Sequence, residues 1–261
     1  MKQLTFGACV KKGWISSWQA VTHMPWLFLG VCVVLACTSI LSGPHPSGAP
    51  VAEDIGTMGR VGHGLLSMAW FALQLVVCGT LTIKVHRFVL LGEGVQPLMP
   101  LNGKPLGRYA LVWLGITLAI LVLAALTYLA TRALRMSFLV YVPLLVIYVF
   151  VLIRLSLLYP AIALGSRLTL RAAWQDSRGH VWSILGVGFV TYLPLFVVTG
   201  VFFFAVGAKL LDAHQTQGVA VIAIGQALLN AVFIVFAAAS LSWLYRRYAR
   251  ELLKHTEDAP Q

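Results

Sequence analysis

Residues 109–129 read YALVWLGITLAILVLAALTYL, twenty-one positions without a charged side chain. As a helix this run covers about 30 Å, the thickness of the hydrocarbon core of a bilayer. Five further apolar runs accompany it, at residues 24–42, 64–83, 137–158, 181–205 and 219–243. Backbone amides and carbonyls have no water to bond with inside lipid, so each run must satisfy them within itself, as a helix does. The reading is therefore an all-α integral membrane bundle of six transmembrane helices with two interfacial amphipathic helices, forming a single membrane domain over 1–261.

Charge placement orders the spans. Fifteen of the nineteen Lys and Arg residues fall on one side of this layout: Lys2, Lys11, Lys12, Lys84, Arg87, Lys104, Arg108, Arg154, Arg167, Arg171, Arg178, Arg246, Arg247, Arg250 and Lys254. Four fall on the other: Arg60, Arg132, Arg135 and Lys209. Basic flanks stay in the cytoplasm. The expected location is a bacterial inner (cytoplasmic) membrane, multi-pass, with both termini cytoplasmic.

Composition narrows the classes further. The chain is 59% hydrophobic and 10% charged, and no stretch between the spans is long enough for a separate soluble catalytic domain. The net charge of +11 would suggest nucleic acid in a soluble protein. Here the cations flank spans on one side, which favours anionic headgroups as partners, with membrane lipids around them, and excludes nucleic acid. The four cysteines, Cys9, Cys32, Cys37 and Cys78, form no CxxC pair and none is placed in an outer loop. They read as small apolar residues rather than disulfide or metal ligands. The opening MKQLTFGACVKKGWISSWQA has no continuous apolar core, so span 1 is expected to remain as an anchor rather than be cleaved.

Two segments have the composition of helices lying on the inner leaflet. Residues 3–22 carry Leu4, Cys9, Trp14, Ile15, Trp18 and Val21 beside Lys11 and Lys12. Residues 166–180, SRLTLRAAWQDSRGH, place Leu168, Leu170, Ala173 and Trp174 opposite a charged face. The two are related by a shift of 156 positions. Trp18, Gln19, Trp26, Leu29, Gly30 and Val31 then meet Trp174, Gln175, Trp182, Leu185, Gly186 and Val187, six identities over the fourteen positions 18–31. The same shift sets span 2 against span 6 and Gln74 against Asn230. The chain thus reads as two units of the same direction, each an interfacial helix plus a hairpin (24–83 and 181–243), around a central hairpin at 109–158, with a tail at 244–261. That is a parallel repeat, unlike the inverted repeats of many transporters.

Other features are local. Pro97, Pro100 and Pro105 with several glycines predict an irregular connection over 84–108, and Pro143 and Pro194 predict kinks in spans 4 and 5. The outer loop 43–62 is rich in Pro and Gly, and a tight turn near Arg132 makes spans 3 and 4 an antiparallel hairpin.

The stretch RLSLLYPAIALGSRLTLRAAWQDSRGHVWSIL, residues 154–185, has an Arg at the end of a span, a Pro-Ala-Ile-Ala turn, and a helix of the form A-W-x-x-S/T-R-G leading into the next span. It resembles a loose group of bacterial six-span inner-membrane proteins: the YciC-like family and the membrane domain of glycerophosphodiester phosphodiesterases. HRFVLLGE at 86–93 is similar to the matching segment in that group. The resemblance implies a six-span fold, with function mostly unassigned. Where the domain is fused to a phosphodiesterase, the chemistry belongs to the soluble partner.

Few residues are placed to carry chemistry. Arg154, deepest of the charges, is read as a lipid-phosphate ligand, a partner of Asp176, or a side chain reaching back to the headgroups. Arg167, Arg171 and Arg178, with His180 and Trp174, make a basic aromatic patch suited to forked binding of phosphate oxygens. Gln74, Gln226 and Asn230 lie mid-span, where amides should bond between helices or line a transport route. His45, His63 and His214 with Glu53, Asp54 and Asp212 match no zinc spacing, and His86 beside Arg87 reads as interfacial. GxSxG, HExxH and P-loop motifs are absent, and eight acidic residues leave little for acid–base chemistry. The expected function is non-enzymatic, without metal or other cofactor: a lipid-binding or accessory scaffolding module of the cell envelope, with a possible protein partner in the membrane. The alternative is a small-molecule or lipid transporter with a site between the repeated hairpins.

Overall fold

The computed structural model describes residues 5–41, 57–92, 103–134, 141–166, 170–207 and 216–249. Among these the secondary structure is helical throughout: α1 Phe6–His23, α2 Pro25–Leu41, α3 Thr57–Leu91, α4 Gly103–Leu134, α5 Tyr141–Ser156, α6 Leu158–Ala163, α7 Leu170–Asp176, α8 Val181–Phe202 running into a π-helical turn at Phe203–Gly207, and α9 Thr216–Tyr248. The described part of each of the six apolar runs is helical, the fourth running from α5 into the start of α6.

Five helices are long and apolar enough to cross a membrane, over Gly64–Leu91, Pro105–Leu129, Leu145–Ala163, Val181–Ala205 and Ala220–Tyr248. Phe6–His23 and Pro25–Ile40 meet the same standard as a pair, bent by 90° at their junction. Pro25 causes the bend. It has no N–H to continue the ladder of α1 and disfavours helical backbone at the preceding residue. Met24 accordingly leaves the helix at φ −123° and ψ 50°. The most apolar span, Pro105–Leu129, is 11% buried. Such an inversion is unfavourable in water and costs nothing where lipid tails surround the helix.

The buried core lies toward the end of the bundle that carries the basic residues. One cluster gathers Leu157, Leu158, Ala161 and Ile162 of the α5–α6 segment with Ala172, Ala173, Ile184, Val187, Leu244 and Tyr245. A second packs Val31 and Leu35 of α2 and Leu81 and Val85 of α3 against Ala227, Ala231 and Val235 of α9. Helix α9 is central, packed on α1, α2, α3 and α8. Its small residues let neighbours approach: a Cβ on Gly13 of α1 would stand 3.6 Å from the Ser240 backbone.

Several expectations need correction. The connection after span 2 is not irregular from residue 84. Lys84–Leu91 contains no Gly or Pro, so α3 runs on to Leu91 and stops at Gly92, whose φ of +64° is the left-handed cap. Residues 93–102 lie outside the described residues. Pro105 and Pro143 do not break or kink their helices, because both stand in a first turn where no backbone N–H has an intrahelical acceptor to lose. Pro194 does lie inside α8. The Pro-Ala-Ile-Ala turn is the buried one-and-a-half-turn helix α6. Residues 57–62 of the expected loop belong to α3, and Arg132, expected near a turn, lies inside α4, which runs to Leu134; residues 42–56 and 135–140 lie outside the described residues.

Candidate functional site

The two segments expected at the interface bury small residues and leave Trp18 and Trp174 exposed, while Trp14 packs against Phe236 with ring centres 4.6 Å apart. In α1 the buried face is Cys9, Gly13, Ser16, Ser17 and Ala20, while Ile15 and Trp18 are exposed. Cys9 is thus a core residue rather than a membrane contact. In α7 Ala172, Ala173 and Asp176 are buried, and Arg171, Trp174 and Gln175 are exposed. Shifted by 156, residues 15–20 and 171–176 show the same order of exposed and buried positions. Leu170 is exposed beside Arg171, and Leu168 lies outside the described residues. The helix of this segment is shorter than residues 166–180.

Arg154 leaves the last turn of α5 between two aromatic rings. Its guanidinium carbon stands 4.6 Å from the Trp174 ring centre and 4.9 Å from that of Phe150. Nη1 donates to the Trp174 carbonyl at 3.0 Å. Nε is buried and, among the described residues, has no partner. A guanidinium held in this way fastens α7 to α5 and orients Trp174. Arg171 and Arg178 are exposed, and Arg167 lies outside the described residues. Trp174 separates them, half-exposed, its ring edge toward Phe150. His180 stacks on Tyr248 with ring centres 4.5 Å apart, and Tyr248 hydroxyl lies 2.6 Å from Ser183 Oγ.

Arg108 and Arg246 do similar work. Arg108 Nη1 donates to the carbonyls of Gly165 and Ser166 at 2.9 and 2.8 Å. Arg246 Nη2 donates to Leu90 O at the end of α3. Each arginine thereby satisfies a carbonyl that a helix end leaves open. Lys12 and Arg246 also lie 4.8 and 4.9 Å from the Trp243 ring centre, and Trp243 Nε1 donates to Ser16 Oγ at 3.0 Å.

His86 is fully buried between α3 and α9, which corrects the interfacial reading. Ser242 Oγ donates to Ala238 O at 2.8 Å and stands 2.8 Å from His86 Nδ1. A hydroxyl has one proton, so Nδ1 is the donor and Nε2 carries a lone pair that has no partner among the described residues.

The amides separate. Gln74, partly buried, and Asn230, exposed, line a half-open cavity of about 360 Å³ between α3, α4 and α9, with Leu35 of α2 also on its wall. Gln226 does not line it and is exposed on α9. Thr82 and Tyr109 also line the wall.

Reading the sequence alone missed His86–Ser242, Arg108 and Arg246. The 156-residue shift could have found two of them, since His86 and Ser242 stand at that spacing, as do Leu90 and Arg246. No protein-family model matches the chain, and no curated protein or solved structure matches it either.

Proposed function

We propose that this chain is a non-enzymatic protein of a bacterial inner membrane that binds anionic lipid headgroups on its cytoplasmic face, as a lipid-binding or scaffolding module of the envelope. On this reading α2, α3, α4, α5, α8 and α9 are six spans, α1 and α7 lie at the inner interface, and both termini are cytoplasmic. One observation carries it. Lys11, Lys12, Lys84, Arg87, Lys104, Arg108, Arg154, Arg171, Arg246 and Arg247 stand toward one end of the helices, with Arg60 and Arg132 toward the other, while Asp176, itself buried, is the sole carboxylate side chain among the described residues. Such an excess of positive charge attracts anionic lipid by about 1 kcal/mol per exposed cation. Arg108, Arg154 and Arg246 are largely spent on carbonyls and rings. Among the exposed cations, which include Lys11 and Lys12, Arg171 and Arg178 flank Trp174 and are taken as the headgroup ligands, with Arg154 as the residue that positions them. The resemblance to YciC-like proteins agrees with this membrane placement.

Native mass spectrometry of the full chain, with dioleoylphosphatidylglycerol and dioleoylphosphatidylcholine as probes, tests it. The anionic probe is expected to be retained in preference, and Arg171→Ala combined with Arg178→Ala to lower its retention severalfold. Equal retention by wild type and double variant would remove this surface as the site. A second reading, carriage of a small molecule or lipid between the repeated hairpins, is favoured by the cavity at Gln74 and Asn230.

A further inference from the structure

The cavity between α3, α4 and α9 differs from the basic end in every chemical respect. None of its lining side chains bears a formal charge. One wall is aromatic, with the Phe71 and Trp113 ring centres 5.2 Å apart. On the other, Thr82 Oγ1 donates to Cys78 O at 2.9 Å, and the Tyr109 side chain lines the same wall. The side-chain amides of Gln74 and Asn230 are different. They face the same space from helices related by the 156-residue shift, and neither is joined to another side chain among the described residues. Each amide offers two N–H donors and one carbonyl acceptor. Gln74 is partly buried and Asn230 opens on the outer side of the bundle; where lipid closes that side, an amide left unbonded costs on the order of 1–3 kcal/mol.

We infer that this cavity binds an uncharged ligand with an apolar body and a hydroxyl, ester or amide group that bonds both Gln74 and Asn230. The volume of about 360 Å³ falls within the range of small-molecule sites. An ion would leave its charge uncompensated there, because the lining supplies neither a carboxylate nor a cation. A saturated hydrocarbon tail would fill the space and leave both amides unbonded. A neutral amphiphile meets both demands, with its apolar part against Phe71 and Trp113. The site stands whether or not its occupant is carried across the membrane, and it is independent of the surface at Arg171 and Arg178.

The test uses the full chain in detergent with three probes: dioleoylglycerol as a membrane-borne neutral ligand, hexanamide as a water-borne one, and dioleoylphosphatidylglycerol as the anionic control. Gln74→Met with Asn230→Leu removes both amides at nearly constant volume, and apolar side chains on these helices are compatible with folding in a membrane. Alkylation of Cys78, which lines the cavity, reports occupancy, and peptide mapping separates it from the other thiols. At least one neutral probe is expected to slow N-ethylmaleimide labelling of Cys78 at least fivefold in the wild type, with protection lost in the double variant. Protection by dioleoylglycerol alone identifies a lipid source, and protection by hexanamide alone an aqueous one. Retention of the anionic probe is expected to be unchanged by the double variant and lowered by Arg171→Ala with Arg178→Ala. No protection by either neutral probe, or protection that survives loss of both amides, would overturn the inference. Loss of anionic-lipid selectivity alone would leave it intact.

Discussion

His86 Nδ1 donates to Ser242 Oγ at 2.8 Å, and one turn further on Leu90 O accepts a hydrogen bond from Arg246 Nη2, both pairs standing 156 positions apart in the chain. Residues at equal register meet when two parallel helices pack about a shared axis. The contact of α3 with α9 is therefore what a parallel repeat produces. The donor comes from α3 in the first pair and from α9 in the second.

Removing the acceptor tests that seam. Ser242→Ala leaves a buried imidazole N–H without a partner and is expected to destabilise the protein by about 1–3 kcal/mol, lowering the midpoint of thermal unfolding in detergent. Adding His86→Leu removes the stranded donor and should recover part of the loss. A single variant as stable as the wild type would show that the pair contributes nothing.

Arg154 should resist replacement by lysine. An ammonium lacks the planar face that lies between Phe150 and Trp174, and it cannot hold the carbonyl in the same geometry. Arg154→Lys is expected to cost roughly 1 kcal/mol and to loosen α7. Faster proteolytic cleavage between residues 163 and 181, with a shift in tryptophan emission, is the readout. Unchanged cleavage in both Arg154→Lys and Arg154→Ala would argue that α7 is held by its buried alanines alone.

Gly13 separates two outcomes by size. An added Cβ meets the Ser240 backbone at ordinary contact distance, so Gly13→Ala should be neutral or stabilise α1 by up to about 1 kcal/mol. Gly13→Leu must push α1 off α9 and should break the bond from Trp243 Nε1 to Ser16 Oγ. Thermal unfolding checks this close packing: only Gly13→Leu is expected to lower the midpoint.

At the opposite end of α9, the Phe202 ring occupies the space that a Cβ on Gly225 would need. Gly225→Ala is expected to displace the ring and cost about 1–3 kcal/mol despite the better helix propensity of alanine. Gly225→Ala with Phe202→Leu should restore stability, and its failure to do so would place the strain elsewhere.

Much of the architecture was legible before any coordinates. The six apolar runs are helical wherever they are described, because residues that favour lipid and lack helix breakers leave the backbone one way to satisfy itself. The shift of 156 was visible in Trp18, Trp26 and Val31, and it returns as matching exposure in Trp26 and Trp182 and matching burial in Val31 and Val187. Element ends were less legible. Prolines at 105 and 143 looked disruptive and prove harmless, since the effect of proline depends on where a helix begins. His86 looked exposed beside Arg87, but α3 continues past the apolar run and α9 covers that face.

What the amino-acid sequence by itself determined is the medium and the material: helices, their apolar lengths, and a pronounced asymmetry of positive charge. These follow from transfer free energies and helix propensities that act residue by residue, so local composition suffices. Only the tertiary structure decided which cations are used up. Arg108, Arg154 and Arg246 reach carbonyls 57, 20 and 156 positions away, while Arg171 and Arg178 remain exposed. It likewise brought Gln74 and Asn230 to one cavity and left Gln226 outside. The identity of a polar group's partner depends on which distant segments the packing brings within 3 Å, and spacing along the chain does not encode that.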